Sequence, residues 1–404
     1  MEHHYDDARA RWNALVLSAA QALYGIGATI LITLGGLTGH LLADDKSLAT
    51  LPISTYVLGT ALATVPASYV MHRIGRRRGF QLGAAASVLS GSLAVYAIYN
   101  QDFWLFCLGT ALTGVYQAFV NYYRFAAADT ASPLFRPKAV SWVLIGGVVA
   151  AIVGPQVVIW TKDAFAPVLF AGSFAASAMI AVVAMAVLNL VDIPRDGHED
   201  HQRADARSLR EILSQGRLLV AIACGMVSYA SMNFMMTAAP LAMVACNHPV
   251  EAAAGAIRWH ILAMFAPSFF TGNLIARFGR EPVMLAGLGL LLGAGAVALS
   301  GIAQWQFDLA LICLGVGWNF SFVGATTLVT DCHRPSERAK VQAVNDLLVF
   351  GLVSMASFAS GKILHEAGWT YVALAILPPA ALAGLLVMGL MVGGRSASNT
   401  GGKA

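Results

Sequence analysis

In 404 residues, charged side chains make up only 11% and hydrophobic ones 58%, with a mean hydropathy of +0.68. A soluble domain of this size carries about 25% charged residues, so a water-soluble globular protein is excluded. The net charge of +4 is too thinly spread to make a nucleic-acid surface.

Apolar runs of roughly 20 residues, the length that crosses a bilayer as a helix, recur along the chain. In order they cover 13–37, 48–71, 80–99, 103–127, 139–161, 167–190, 217–243, 253–276, 282–302, 305–329, 341–363 and 369–392. The predicted fold class is therefore all-α, a membrane protein of twelve transmembrane helices. The start, MEHHYDDARAR, is polar and acidic and does not read as a cleavable signal peptide. His3 and His4 in it read as a solvated tail or as metal collectors.

The first span has no acidic residue, only Gln21 and Tyr24 as sizeable polar groups. After the second comes HRIGRRR, with Arg73, Arg76 and Arg77. The fourth carries Arg124 over a turn from its end, and DTASPLFRPK follows from Asp129. The fifth contains Gly154-Pro155, which resembles the G-P motif of drug antiporters. A polar stretch, DIPRDGHEDHQRADARSLREILSQG at 192–216, divides the chain nearly in half and reads as a solvated linker. The expected domains are thus 1–191, a linker at 192–216, and 217–404.

The seventh span contains Met232-x-x-x-Met236 and the eighth His260-x-x-x-Met264. Residues four apart share a helix face. On the helical rise, Met232 and Met264 fall roughly 2–3 Å outward of the midplane, and Met236 and His260 roughly 8–9 Å. Thioethers favour Cu(I) and imidazole also suits copper, so three thioethers and an imidazole without carboxylate point to copper. The alternative is that the methionines are apolar gap-fillers or line a cavity for an organic solute. Cys246, at the outer end of the seventh span, and Cys224, inward of the Met pair, are candidate capture and receiving thiols, or simply small hydrophobes. Trp318 and Asn319 in GVGWNF face the cavity from the tenth span, and Cys332 with His333 is a candidate exit ligand. Asp346 opens the eleventh span; with Arg124 it reads as a gating contact or a structural pair.

The five cysteines lie far apart and give no disulfide framework. Most of the 25 Lys and Arg residues fall on one side if the N-terminus is inside, leaving Lys46, Lys162, Arg258 and Lys362 outside. The positive-inside rule then places both termini in the cytoplasm.

The halves repeat. Arg73 and Gly75 match Arg277 and Gly279 at an offset of 204. Asp129, Pro133, Arg136 and Lys138 match Asp331, Pro335, Arg338 and Lys340 at 202. R-x-G-R after the second and eighth spans resembles the signature loop of the major facilitator superfamily, although Ser68 and His72 replace its usual glycine and aspartate. The resemblance implies two pseudo-symmetric six-helix halves rocking around a central site.

At Met232/Met236 and His260/Met264, and in SYASMNFMMTAAPLAM, HILAMFAPSFFTG and RAKVQAVNDLLVFG, the sequence is similar to the CcoA-type copper importers of bacterial inner membranes. Riboflavin-transporter-like relatives share much of the same backbone but, on that resemblance, lack the paired metal-ligand motifs, so the four ligand residues decide between the two branches. The resemblance implies copper uptake for a cbb3-type cytochrome oxidase, with copper as the transported substrate, no permanently bound cofactor, and copper chaperones as partners beside the lipid bilayer. The other reading is a carrier for an organic solute, riboflavin-like or a drug antiporter. A non-transporting sensor or oxidase assembly factor is disfavoured by the lack of an appended soluble domain. No nucleophile–base set or phosphate loop points to an enzyme.

Overall fold

The computed structural model describes residues 7–129, 131–132, 135–193, 207–334 and 337–400, with the side chains of 129, 136, 137, 338, 339, 343 and 393–400 excepted. His3, His4, Pro133, Pro335, residues 194–206 of the linker and the side chain of Asp129 lie outside the described residues. The described chain is helical: α1 Asp7–Leu42, α2 Leu51–Ile74, α3 Arg76–Tyr99, α4 Phe103–Val120, α5 Tyr123–Asp129, α6 Arg136–Thr161, α7 Ala171–Leu188, α8 Leu209–Leu213, α9 Gly216–Ala245, α10 Val250–Phe265, α11 Ser268–Phe278, α12 Arg280–Leu299, α13 Gln304–Asp331, α14 Arg338–Ala367, α15 Trp369–Ala375 and α16 Leu377–Thr400. Among the described residues eleven helices are long and apolar enough to cross a membrane, or twelve when the bent pair α10–α11 counts as one span. Their outer faces carry large apolar side chains with nothing of the protein over them: Trp160 is 72% exposed, Leu62 68% and Val65 67%. In lipid such faces carry no penalty, and only the backbone must be satisfied internally.

Three predicted spans are interrupted. The run 103–127 breaks at Asn121–Tyr122, between α4 and α5. The run 253–276 bends by 41° between α10 and α11, where Pro267 supplies no N–H to continue the ladder. The run 369–392 is interrupted at Ile376. The first helix extends well past its predicted 13–37 at both ends, because the polar residues of DARARW are compatible with helix once outside the apolar layer.

By their internal contacts the residues group into two compact units, Met1–His198 with Thr237–Leu262, and Glu199–Met236 with Ala263–Ala404. In the first, Tyr116, Tyr123, Phe80 and Leu17 build one core cluster, and Ile30, Leu34, Phe106 and Phe174 another. The helices α2 and α4 touch backbone to backbone. A Cβ on Gly114 would meet the Tyr56 carbonyl and lie 2.7 Å from the Thr60 nitrogen. Small residues at such crossings let membrane helices approach. Gly114→Val is expected to cost about 3 kcal/mol, read as a lower melting temperature of the detergent-solubilised protein.

The repeated signature loops are conformational copies. Gly75 joins α2 to α3 at φ 87°, and Gly279 joins α11 to α12 at φ 89°, a region essentially restricted to glycine. In the second unit the loop is held by ion pairs, Arg280 to Asp331 and Arg217 to Glu281 (2.9 Å). Ala276 stands where His72 stands in the first copy, the position of the motif's usual aspartate, and these pairs give the loop charge pairing without one.

The segment before each half's first membrane helix is also tied down. The Asp7 carboxylate accepts from the Ser132 backbone N–H (2.9 Å) and hydroxyl (3.0 Å), and Arg9 pairs with Asp192 at 2.7 Å. In the second unit Glu337, fully buried, accepts from Arg207 Nε and Nη2 at 2.8 Å each, from the Arg207 backbone at 3.0 Å and from the Arg334 backbone at 2.9 Å. The guanidinium holds the Glu337 carboxyl far below the usual carboxylate range. A depressed carboxylate contributes its stabilisation above the ordinary pKa and loses it only as pH falls through the folded value. The clamp is therefore expected to hold in mild acid. Beneath it Cys332 is buried, its carbonyl accepting from Arg207 (3.3 Å) and Gln215 (3.1 Å). With Cys332 as the sole cysteine, Glu337→Gln is expected to raise the maleimide labelling rate about tenfold at neutral pH.

Candidate functional site

In the second unit, rings from three helices converge. Trp318 and Phe322, one turn apart on α13, lie nearly parallel at 12° with centroids 5.3 Å apart. Tyr229 of α9 meets both edge-on, at 5.5 Å from Trp318 and 5.2 Å from Phe322, and meets Phe350 of α14 at 5.7 Å. Each such pair is worth about 0.5–1.5 kcal/mol beyond its area, so the four rings form a fixed wall. They are half-buried, unlike the closed core around Tyr116 and Tyr123.

Beside Trp318 the fully buried Asn319 organises the α10–α11 bend. Its amide nitrogen donates to the Met264 carbonyl (2.7 Å) and the Ser268 hydroxyl (2.7 Å), while its oxygen accepts from the Thr271 hydroxyl (2.6 Å). A bend at Pro267 disturbs the regular ladder, and the Asn319 side chain satisfies the Met264 carbonyl there.

In the first unit the polar cluster is Tyr24, Tyr56 and Gln117. The two phenol oxygens are 2.9 Å apart. Tyr56 donates to Gln117 Oε1 at 2.7 Å, Tyr24 also donates to that oxygen, and Gln117 Nε2 donates to Asn121 Oδ1 at 2.8 Å. Tyr56 stands at the position that the offset of 204 matches to His260.

Met232 and Met236 occupy successive turns of α9, 1% and 4% exposed. Met264 is half-buried at the end of α10. These three belong to the second unit and the fully buried His260 to the first. Among the described residues no three His, Cys, Asp or Glu side chains gather as a metal site, although thioethers fall outside that donor set. Cys224 is buried with its sulfur 4.0 Å from the Ser228 hydroxyl. Cys246 is half-buried just past α9, and burial raises its thiol pKa. Burial raises that of Cys332 as well, against the pull of Arg217, Arg280 and Arg207.

The basic residues of the signature loop stand where the spacing puts them. Arg73 is exposed over the Tyr69 ring at 4.6 Å, and Arg76 and Arg77 line a recess with Gln81 and Asn189. Arg124 is exposed on α5 with its guanidinium 4.9 Å from the Phe125 ring. Asp346 is half-buried on α14 and accepts from the Asn345 side chain at 3.1 Å.

Tyr229, Phe322, Phe350, Gln117 and the Arg207–Glu337 pair have no conspicuous mark in the sequence. The one available signal is the spacing of Tyr229 from Met232, three residues, which puts both on one helical face.

The chain matches the Major Facilitator Superfamily over residues 17–345, with a second match over 254–403. It is 47% identical over 378 residues to the riboflavin transporter RfnT of Brucella anthropi, covering 93% of this chain and 95% of that protein. It is 27% identical over 376 residues to an uncharacterized MFS-type transporter of Bacillus subtilis, YddS, covering 89% and 86%. Among solved structures it resembles the nucleoside transporter NupG, with a TM-score of 0.74 at 14% identity, covering 94% of this chain and 99% of that one. The xylose transporter XylE from E. coli has a TM-score of 0.73 at 14% identity, covering 95% and 98%. At that identity the likeness shows the fold. The copper-importer resemblance finds no counterpart among these relatives, whereas its riboflavin-type alternative does. With its duplicated loops and its all-helical fold, the chain belongs to the major facilitator superfamily, a family of multi-pass membrane transporters.

Proposed function

We propose that this chain is a secondary carrier for an organic solute with a planar heteroaromatic ring, of the riboflavin class. The observation that carries the reading is the ring wall of Tyr229, Trp318, Phe322 and Phe350. A flat conjugated solute gains dispersion and stacking energy against such a wall, whereas a copper ion is held chiefly by thioether and imidazole donors rather than by ring faces. The relative at 47% identity, a riboflavin transporter, supports the same class. The carrier works in the cytoplasmic membrane of a bacterium with both termini inside. Halves at 1–191 and 217–404, joined by the linker at 192–216, rock to expose the site alternately to the two sides.

Copper import is the second reading, favoured by the paired spacings Met232/Met236 and His260/Met264. The two separate in proteoliposomes offered tritiated riboflavin or radioactive copper. Saturable riboflavin accumulation, competed by other flavins and unchanged in Met232→Leu and Met236→Leu, is the expected result. Copper accumulation that both substitutions abolish, with no flavin uptake, reverses the assignment.

A further inference from the structure

The two halves carry the same aromatic–amide pair in their fourth helix. At the offset of 202 that aligns Asp129 with Asp331, Tyr116-Gln117 falls on Trp318-Asn319. Each ring also meets a tyrosine of its half's first helix, although Tyr24 and Tyr229 are 205 apart and so stand one residue out of register with the offset of 204. Tyr24 of α1 meets Tyr116 edge-on at 5.1 Å and 85°, and Tyr229 of α9 meets Trp318 edge-on at 5.5 Å and 78°. Each amide then ties its helix to others of its half: Gln117 to α1 and α2 through Tyr24 and Tyr56, Asn319 to the bent span α10–α11 through Met264, Ser268 and Thr271.

The copies differ at one atom. Tyr116 is 1% exposed, and its hydroxyl oxygen accepts from that of Tyr123 at 3.3 Å, so the ring's polar atom is covered by a neighbouring side chain. Trp318 is half-buried, and its indole N–H is enclosed but makes no hydrogen bond among the described residues. A buried donor without an acceptor is destabilising until a partner arrives. Trp369 also has an unspent N–H, but it stands at the first residue of α15, against the Phe307 ring. At Trp318 the unspent donor instead belongs to a wall with three other rings, where Tyr229 and Phe322 pack against the indole.

Resting on the organic-solute reading, we infer that Trp318 is the specificity-determining residue of this carrier. Its Nε1–H donates to an acceptor on the solute's conjugated ring, a ring carbonyl or imine nitrogen, while the surrounding rings hold the ring plane. The matching site of the first half, closed by Tyr123, holds helices together and reads nothing. The preferred solute is thus a flat heteroaromatic with acceptors on its rim, and flat hydrocarbons of equal size are poor substrates.

Trp318→Phe tests this, since it keeps a ring in the wall and removes the donor. In proteoliposomes the KM for tritiated riboflavin is expected to rise roughly tenfold with Vmax and melting temperature unchanged. Tyr116→Phe, which changes the pseudo-equivalent position, should leave that KM within about twofold. An unchanged KM in Trp318→Phe, with uptake lost in Trp318→Ala, overturns the donor role and leaves the ring wall standing. A fall in Vmax with a lower melting temperature, at unchanged KM, overturns it equally, since that is the signature of a structural ring. Absence of riboflavin uptake by the unsubstituted protein, with copper carried instead, removes the solute reading itself.

Discussion

Tyr229→Ala is expected to lower riboflavin uptake, as Vmax/KM, at least a hundredfold. Tyr229 is the ring that touches all the others of the wall, Trp318, Phe322 and Phe350. Its removal deletes three edge contacts of about 0.5–1.5 kcal/mol each, and truncating an enclosed aromatic side chain costs about 3–5 kcal/mol in all. Tyr229→Phe keeps the ring and is expected to retain most of the activity. Met232→Leu, three residues along the same helix, conserves volume and removes only sulfur, so it should leave flavin uptake near the unsubstituted level. Uptake kinetics of the three variants at equal reconstituted protein decide the matter. Equal loss in Tyr229→Ala and Met232→Leu would show that the wall has no particular part in recognition.

The second large effect is expected at Asn319. Asn319→Leu leaves the Met264 carbonyl and the Ser268 and Thr271 hydroxyls without their amide partner. Each neutral hydrogen bond contributes about 1 kcal/mol net, and a buried group left unsatisfied costs about 1–3 kcal/mol. A loss of about 3–4 kcal/mol follows, read as reduced thermal stability in detergent. Asn319→Asp keeps the acceptor for Thr271 but loses both donations, so it should fall between. The bend of 41° between α10 and α11 depends on this residue, and uptake is expected to fall with the stability rather than separately from it.

The helices were legible because bilayer thickness sets a length and lipid sets a polarity. The predicted run 217–243 lies within α9, Gly216–Ala245, and 305–329 lies within α13, Gln304–Asp331. The duplicated loops were legible too, and Gly75 and Gly279 match down to their backbone angles. The breaks were less so. Pro267 is a visible signal, yet a proline alone does not reveal whether a membrane helix kinks or stops, because distant groups such as Asn319 can pair with carbonyls at the break, here that of Met264. The candidate site was the least legible part. Tyr229, Phe322 and Phe350 lie far apart in sequence, and an aromatic ring in an apolar run looks the same whether it faces lipid or solute. Thioethers four residues apart stand out by comparison, which drew attention to Met232 and Met236, the 1% and 4% exposed side chains of a well-packed helix.

Gln117 and Asn319 occupy one position of the repeated half at the offset of 202, and so do the rings before them, as duplication of a half-length gene would leave them. Once a gene has fused with its own copy, one version can be committed to architecture while the other drifts toward new chemistry. Here the version closed by Tyr123 is the conservative one. Evolution of a new transported compound in this lineage then needs changes in the second half only, and grafting the second half of a relative with a different cargo onto this first half should transfer the cargo preference with it.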